Sequence, residues 1–309
     1  MHAKIMGNKY ALLAIAVVIW GGNWPVMKMA LGHISPMWLA TTRFASAAVI
    51  SFLVLAALGR LRLPTRQEWP LVIGVGILQM GLFTALALWG LQYVPPGRAS
   101  VIAYATSLWV IPLSALILKE RITRSQWIAA GCCYLGMLCI IAPVLNGWAE
   151  RTVVGLFMLL GASLSWGINI IQLRAKKTVK LGAEMIPWET AVASIPLLVL
   201  ASAIEGAPSG FGHADVWPLL FYIGPIATAL TFIVILDATQ ALPPVATSIA
   251  MLGVPIIGLT LSSIAFGEAI SADLTIGLVL MATGVLTSAL VPMLRRKAPA
   301  VVATLSPTA

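Results

Sequence analysis

The chain has 309 residues, of which 60% are hydrophobic and 9% charged, and its net charge is +9. A water-soluble domain of this size carries about 25% charged residues, so the composition excludes a soluble fold and leaves the bilayer as solvent. Most of the 19 basic residues sit in short stretches between apolar runs, a distribution that fits membrane orientation and argues against a nucleic-acid surface.

Apolar runs of about 20 residues, enough to cross about 30 Å of hydrocarbon, recur along the chain. The first is predicted over 9–30. Lys4 and Lys9 before it imitate a signal peptide, but the run continues to Ala30 without a small-residue cleavage site, so it reads as a span. Spans at 36–58, 69–91, 97–118 and 125–143 follow, then 153–173, 185–204, 215–237, 244–266 and 273–294. The runs are continuously apolar rather than alternating, which selects helices over a barrel. Pro95-Pro96 and Pro243-Pro244 precede the fourth and ninth spans, where proline suits a first helical turn. Thr123 and Gln126 make a capping box at the start of the fifth. Cys132, Cys133 and Cys139 share one apolar run, and no disulfide framework is expected. With a cytoplasmic N-terminus, 15 of the 19 basic residues lie inside, 3 lie outside and Arg43 is within a span. Both termini are therefore expected in the cytoplasm.

The chain repeats itself. Pro95 and Pro243, Glu120 and Glu268, and Gly136 and Gly284 are each separated by 148 residues. Trp20-Gly21-Gly22-Asn23 recurs as Trp166-Gly167-Ile168-Asn169 at a spacing of 146. A unit of five crossings begins and ends on opposite faces, so its second copy is upside down. The expected fold is an all-α polytopic membrane protein of ten transmembrane helices in two inverted five-helix repeats. The expected division is 1–146, 147–294 and a basic cytoplasmic tail at 295–309. Such inverted repeats have the geometry of alternating access to a central cavity.

Candidate solute-binding residues follow from cost. An asparagine in hydrocarbon needs a partner. Asn23 and Asn169 either face a cavity from a loosened helix or bond a neighbouring helix, with their glycines serving close packing. Trp20, Trp109 and Trp166 lie deeper than an interfacial belt, and Trp24, Gln79, Tyr104 and Gln172 complete the candidate lining. Arg43 costs about 2.5–3.5 kcal/mol at mid-helix; it contacts a solute carboxylate or bonds helix-end carbonyls. The second copy has Ala191 at the 148-residue spacing from Arg43, so that role is one-sided. Glu189 could carry a proton or bond quietly near the interface. No HExxH, paired-acid or GxxxxGK[ST] motif is present. No cofactor, metal site, catalytic centre or direct ATP drive is therefore expected.

The Trp20–Pro25 segment with Lys28, the Ser35-Pro36…Arg43-Phe44 stretch and the Pro-Pro helix starts resemble the drug/metabolite transporter superfamily, in particular its EamA-type exporters. The Glu120-Arg121-Ile122-Thr123 and Gly267-Glu268-Ala269-Ile270-Ser271 junctions carry the same resemblance, which covers about residues 9–294. It implies ten helices, inverted repeats, a central cavity and export of small metabolites, often amino acids. The expectation is a secondary exporter of small organic metabolites, amino acids first, by alternating access. Multidrug or vitamin transport in the same fold is the alternative, and a lipid enzyme or structural partner is the alternative outside transport. Expected partners are a small-molecule substrate and the lipid bilayer, with proton coupling through Glu189 as an option and no nucleic acid. The expected setting is a bacterial inner membrane, as a monomer or weak homodimer.

Overall fold

The computed structural model describes residues 2–145, 150–176, 178–239 and 242–297. The repeat junction at Asn146, Trp148, Lys177 and the tail beyond Lys297 lie outside the described residues. Five helices form the first repeat: α1 (His2–Ala30), α2 (Pro36–Ala57), α3 (Trp69–Tyr93), α4 (Pro96–Ile117) and α5 (Arg124–Leu145). The second holds α6 (Glu150–Ala175), α7 (Ala183–Ile204), α8 (Val216–Thr239), α9 (Pro244–Met251 and Gly253–Phe266) and α10 (Ala272–Lys297). Among the described residues nine helices are long and apolar enough to cross a membrane, and Ala272–Ser288 in α10 is a shorter apolar stretch. Proline opens α2 and α4, where its missing N–H costs nothing. The capping box forms: Gln126 Oε1 accepts from the Thr123 N–H at 2.8 Å.

Loops gather at two ends. At one, the basic face, Arg60 and Arg62 after α2 reach Glu184 in the first turn of α7, and Arg60 meets Asp237 at 2.6 Å. At the opposite face, Glu205 after α7 accepts from the backbone N–H groups of Met37 and Trp38 and so caps α2. The two ends mirror each other. Trp38 Nε1 donates to the Gly206 carbonyl at one face, and Trp188 Nε1 donates to the Arg62 carbonyl at the other.

The contact between α5 and α10 displays the inverted relation directly. A side chain at Gly136 would meet the Gly277 carbonyl at 2.6 Å, and one at Gly284 would meet the Ala129 carbonyl at 2.6 Å. These contacts exchange under the 148-residue spacing. Cys133 and Met281, themselves 148 apart, touch each other, with Sγ 3.8 Å from the Met281 carbonyl. A pseudo-two-fold axis therefore passes through this helix pair. Small residues let the backbones approach where lipid offers no hydrophobic drive to associate.

The irregularities are also duplicated. α3 widens to a π-helix over Val75–Leu82, and α8 does so over Tyr222–Leu230. α4 breaks at Tyr104–Thr106 and α9 at Leu252, positions again 148 apart. Lys119 after α4 and Gly267 after α9 are both left-handed, at φ 54° and 64°. The expected loosening of α1 at Gly21–Pro25 is not seen: α1 is one continuous helix with Pro25 inside it. Gly21 instead accommodates Ile257 of α9, and Gly167 accommodates Trp109 of α4. A helix in hydrocarbon has no water to take over broken backbone bonds, so glycine there serves packing before flexibility.

Candidate functional site

α1, α2, α3, α4, α6 and α8 enclose a small central cavity of about 40 Å³. Seven of the ten expected substrate-binding residues line it: Trp20, Asn23, Trp24, Arg43, Gln79, Tyr104 and Trp166. The wall is aromatic and interlocked. Trp166 stands edge-on to Phe83 at 4.8 Å and 6.2 Å from Tyr104, while Trp20 packs on Phe232 at 5.1 Å. Such ring pairs contribute about 0.5–1.5 kcal/mol each beyond their buried area. Phe83, Thr84 and Phe232 were absent from the sequence-based set. Thr84 and Phe232 occupy positions 148 apart, so projecting one lining residue through the repeat would have found the other.

The remaining three lie elsewhere. Trp109 Nε1 donates to Ser163 Oγ at 2.8 Å, tying α4 to α6 outside the cavity lining. Asn169 is fully buried behind Gln79, donating to its Oε1 at 2.7 Å and so fixing the amide that does face the cavity. Gln172 donates to the Pro70 carbonyl near the basic face.

Arg43 carries the cavity's charge. Its Nε donates to Thr228 Oγ1 at 2.9 Å, Nη1 meets Met27 Sδ at 3.3 Å, and the guanidinium lies 5.3 Å from the Phe44 ring centre. The π-helical turn of α8 supplies Thr228, whose hydroxyl in turn donates to the Ile223 carbonyl five residues back. Among the described residues no carboxylate pairs with Arg43. Asn23 lines the same cavity, and among the described residues its buried Oδ1 has no hydrogen-bond partner. A donor fork and an acceptor thus face one space, each with unused hydrogen-bonding capacity.

Packing revises the expected counterpart of Arg43. A side chain at Gly224 would meet the Arg43 carbonyl at 3.0 Å, and one at the equivalent Gly76 would meet the Glu189 carbonyl at 2.8 Å. Glu189, not Ala191, therefore holds the place of Arg43 in the second repeat. It is 4% exposed, and among the described residues its carboxyl has no hydrogen-bond or ion-pair partner. It lines a vestibule of about 650 Å³ that opens at the basic face beside Arg60, Lys180 and Asp237. Gln79, Met80 and Phe232 belong to both vestibule and central cavity, so the two adjoin across these side chains. On the other side of α6 a hydroxyl-lined cleft, two lobes of about 320 Å³ each, runs from Glu120 and Arg174 to Tyr104. The cavity residues are thus approached from the basic face on both sides of α6. At the opposite face, a depression of about 550 Å³ between Lys28 and Glu268 shares no residue with the central cavity.

The chain resembles known transporters over most of its length. It is 27% identical over 271 residues to the uncharacterized transporter YoaV of Bacillus subtilis, covering 87% of this chain and 92% of that one. It is 26% identical over 289 residues to a "probable amino-acid metabolite efflux pump" of Salmonella typhimurium, covering 90% and 94%. A "probable terminal-alkyne amino-acid exporter" of Streptantibioticus cattleyicolor is 25% identical over 258 residues, covering 83% and 84%. A solved crystal structure shares the fold with a TM-score of 0.64 at 18% identity, over 94% of this chain and 99% of that one. The model of the EamA-like transporter family matches residues 8–142 and again 153–290. Two matched copies, inverted about the α5–α10 contact, place this multi-pass membrane protein in the EamA-like transporter family of the drug/metabolite transporter superfamily.

Proposed function

We propose that this transporter exports zwitterionic small metabolites, neutral and aromatic amino acids first among them, by alternating access. The observation that carries the reading is Arg43: a guanidinium at an aromatic-walled cavity with no carboxylate partner among the described residues. A solute carboxylate would complete its hydrogen bonds, a solute ammonium would satisfy Asn23 Oδ1, and an apolar or aromatic side chain would pack among Trp20, Trp24 and Trp166. Relatives named as a probable amino-acid metabolite efflux pump and a probable terminal-alkyne amino-acid exporter support the same class. The cavity is too small for such a solute as it stands, so loading requires the walls to part.

Glu189 is the proposed proton carrier, since it is buried at the vestibule wall without a counter-ion. The basic face is proposed as cytoplasmic, with both termini there in a bacterial inner membrane, because the sequence assigns 15 of the 19 basic residues to that side. The structure would then represent a state open toward the cytoplasm, the loading side of an exporter. The repeat division at 146/147 is part of the same proposal.

The test is counterflow in proteoliposomes against neutral, aromatic and charged amino acids, organic cations and vitamins, with and without a pH gradient. The expected result is saturable exchange of neutral and aromatic amino acids. With a proton carrier, uphill movement stops when the gradient is collapsed and Glu189→Gln becomes indifferent to the gradient. Exchange of organic cations but of no amino acid would support the multidrug reading instead.

A further inference from the structure

One side of α6 holds α3 at three points. Ser165, Asn169 and Gln172 lie at i, i+4 and i+7 along α6 and so share one face. Ser165 Oγ donates to the Leu78 carbonyl at 2.6 Å, Asn169 Nδ2 to Gln79 Oε1 at 2.7 Å, and Gln172 Nε2 to the Pro70 carbonyl at 2.8 Å. Leu78 and Gln79 belong to the π-helical stretch Val75–Leu82. Ser165 therefore fixes the backbone beneath Gln79, and Asn169 fixes its side chain. The arrangement is one-sided. Ile19, Asn23 and Val26 stand at the 146-residue spacing from the three donors, and Ala227 stands 148 residues from Gln79.

An amide has an accepting end and a donating end. Asn169 holds the oxygen of Gln79 toward α6, so its nitrogen, with two N–H donors, turns the other way. Among the described residues that Nε2 has no hydrogen-bond partner. It is the polar group that Gln79 brings to the two spaces it lines, the vestibule and the central cavity. Asn169 itself is fully buried, and among the described residues its own Oδ1 goes unpaired. A bare buried oxygen is costly. The cost falls on a residue whose one side-chain hydrogen bond keeps Gln79 turned donor-first.

We propose that Gln79 Nε2 is the second donor, beside Arg43, for the carboxylate of the transported solute, and that Asn169 is the positioning residue that aims it. The inference rests on the amino-acid reading of the cavity. Arg43 from α2 and Gln79 from α3 line the same small space. A carboxylate offers an oxygen to each. A carboxamide offers one oxygen, and its own N–H groups would meet donors instead of acceptors. A wall of donors therefore selects acid over amide, because the wrong solute leaves polar groups unpaired. Gln79 also borders the vestibule, so a solute arriving from there meets it before Arg43, which does not.

The test is competition counterflow of phenylalanine in proteoliposomes holding the full-length protein. Phenylalanine and phenylalaninamide are each titrated as competitors, and the ratio of their half-inhibiting concentrations is read. The ratio is internal to each variant, so a loss of folded protein does not move it. The parent protein is expected to favour the acid. Gln79→Leu and Asn169→Leu are each expected to lower that preference about tenfold, the effect of one hydrogen bond to a charged group. Asn169→Leu added to Gln79→Leu is expected to lower it no further, because Asn169 acts only through Gln79. An unchanged preference in either single variant overturns the proposal. So does an increase, which would mean that Gln79 presents its oxygen, and so does a further fall in the double variant. If Asn169→Leu does not fold, Gln79→Leu still decides. A parent protein that exchanges no phenylalanine sinks the amino-acid reading and this inference together. Exchange that favours the acid equally in the parent and in Gln79→Leu sinks this inference alone.

Discussion

Arg43 shows how a residue's chemistry can be legible while its partner is not. Its cost in hydrocarbon singles it out in the sequence. The alternatives there were a solute carboxylate or helix-end carbonyls, and the structure supplies a third arrangement, a threonine hydroxyl and a thioether. Under the proposed function, Arg43→Met weakens apparent affinity for carboxylate-bearing solutes by about tenfold or more, the loss of one charge-assisted hydrogen bond. Solutes lacking a carboxylate should lose far less, and competition counterflow with an amino acid and its amide distinguishes the two. The asparagines diverge for a related reason. Asn23 and Asn169 are matched in the motif, yet one faces the cavity and the other stands behind Gln79. Rotation of a helix about its own axis decides this, and a uniformly apolar span carries almost no signal for that rotation.

Individual helices carry regularities that single spans conceal. Ten apolar runs and their proline starts are visible in the sequence because bilayer thickness and proline geometry dictate them. The paired π-segments of α3 and α8 are not, since they arise where backbones meet: Gly76 against the Glu189 carbonyl and Gly224 against that of Arg43. These wide turns aim Gln79 and Met80 into the cavity and bring Thr228 to Arg43, consistent with the usual association of π-bulges with functional sites. At the α5–α10 axis the close approach is testable. Gly136→Ala places a methyl 2.6 Å from the Gly277 carbonyl, so backbone must shift, at about 1–3 kcal/mol. Gly131 is open to its surroundings. Gly131→Ala should instead be neutral or stabilise by up to about 1 kcal/mol through helix propensity. Thermal unfolding in detergent should lower the first midpoint and leave or raise the second.

Across the whole molecule, charge is concentrated at the two ends. At the basic face, Glu68 accepts from Arg62 at 2.6 and 2.8 Å and from the Thr65 N–H. The hydrogen bond from Arg62 holds the Glu68 carboxyl down to about 2, from its ordinary 4.5. A depressed acid stabilises the folded state fully above the higher value, and that stability is lost as pH falls from about 4.5 toward 2. Arg62 is partly exposed, so solvent screens the pair and the effect is modest. Glu68→Gln should lower the detergent melting midpoint modestly at pH 7 and flatten the acid limb between those values, so that the two curves converge near pH 2. At the opposite face, burial pushes the Glu268 carboxyl up, partly offset by the N–H groups of Gly97 and Arg98 that it accepts from.

Composition, span length and the 148-residue spacing by themselves determined a helical membrane protein built twice in opposite senses. Each of those properties is set by the solvent or by counting, and none of the three needs to know which helix touches which. The lining of the cavity and the matching of Arg43 with Glu189 were decided only by tertiary structure. They depend on helix rotation and on which of two near-equivalent partners each polar group meets. In a chain whose spans are apolar on every side, such choices are made by packing rather than by pattern.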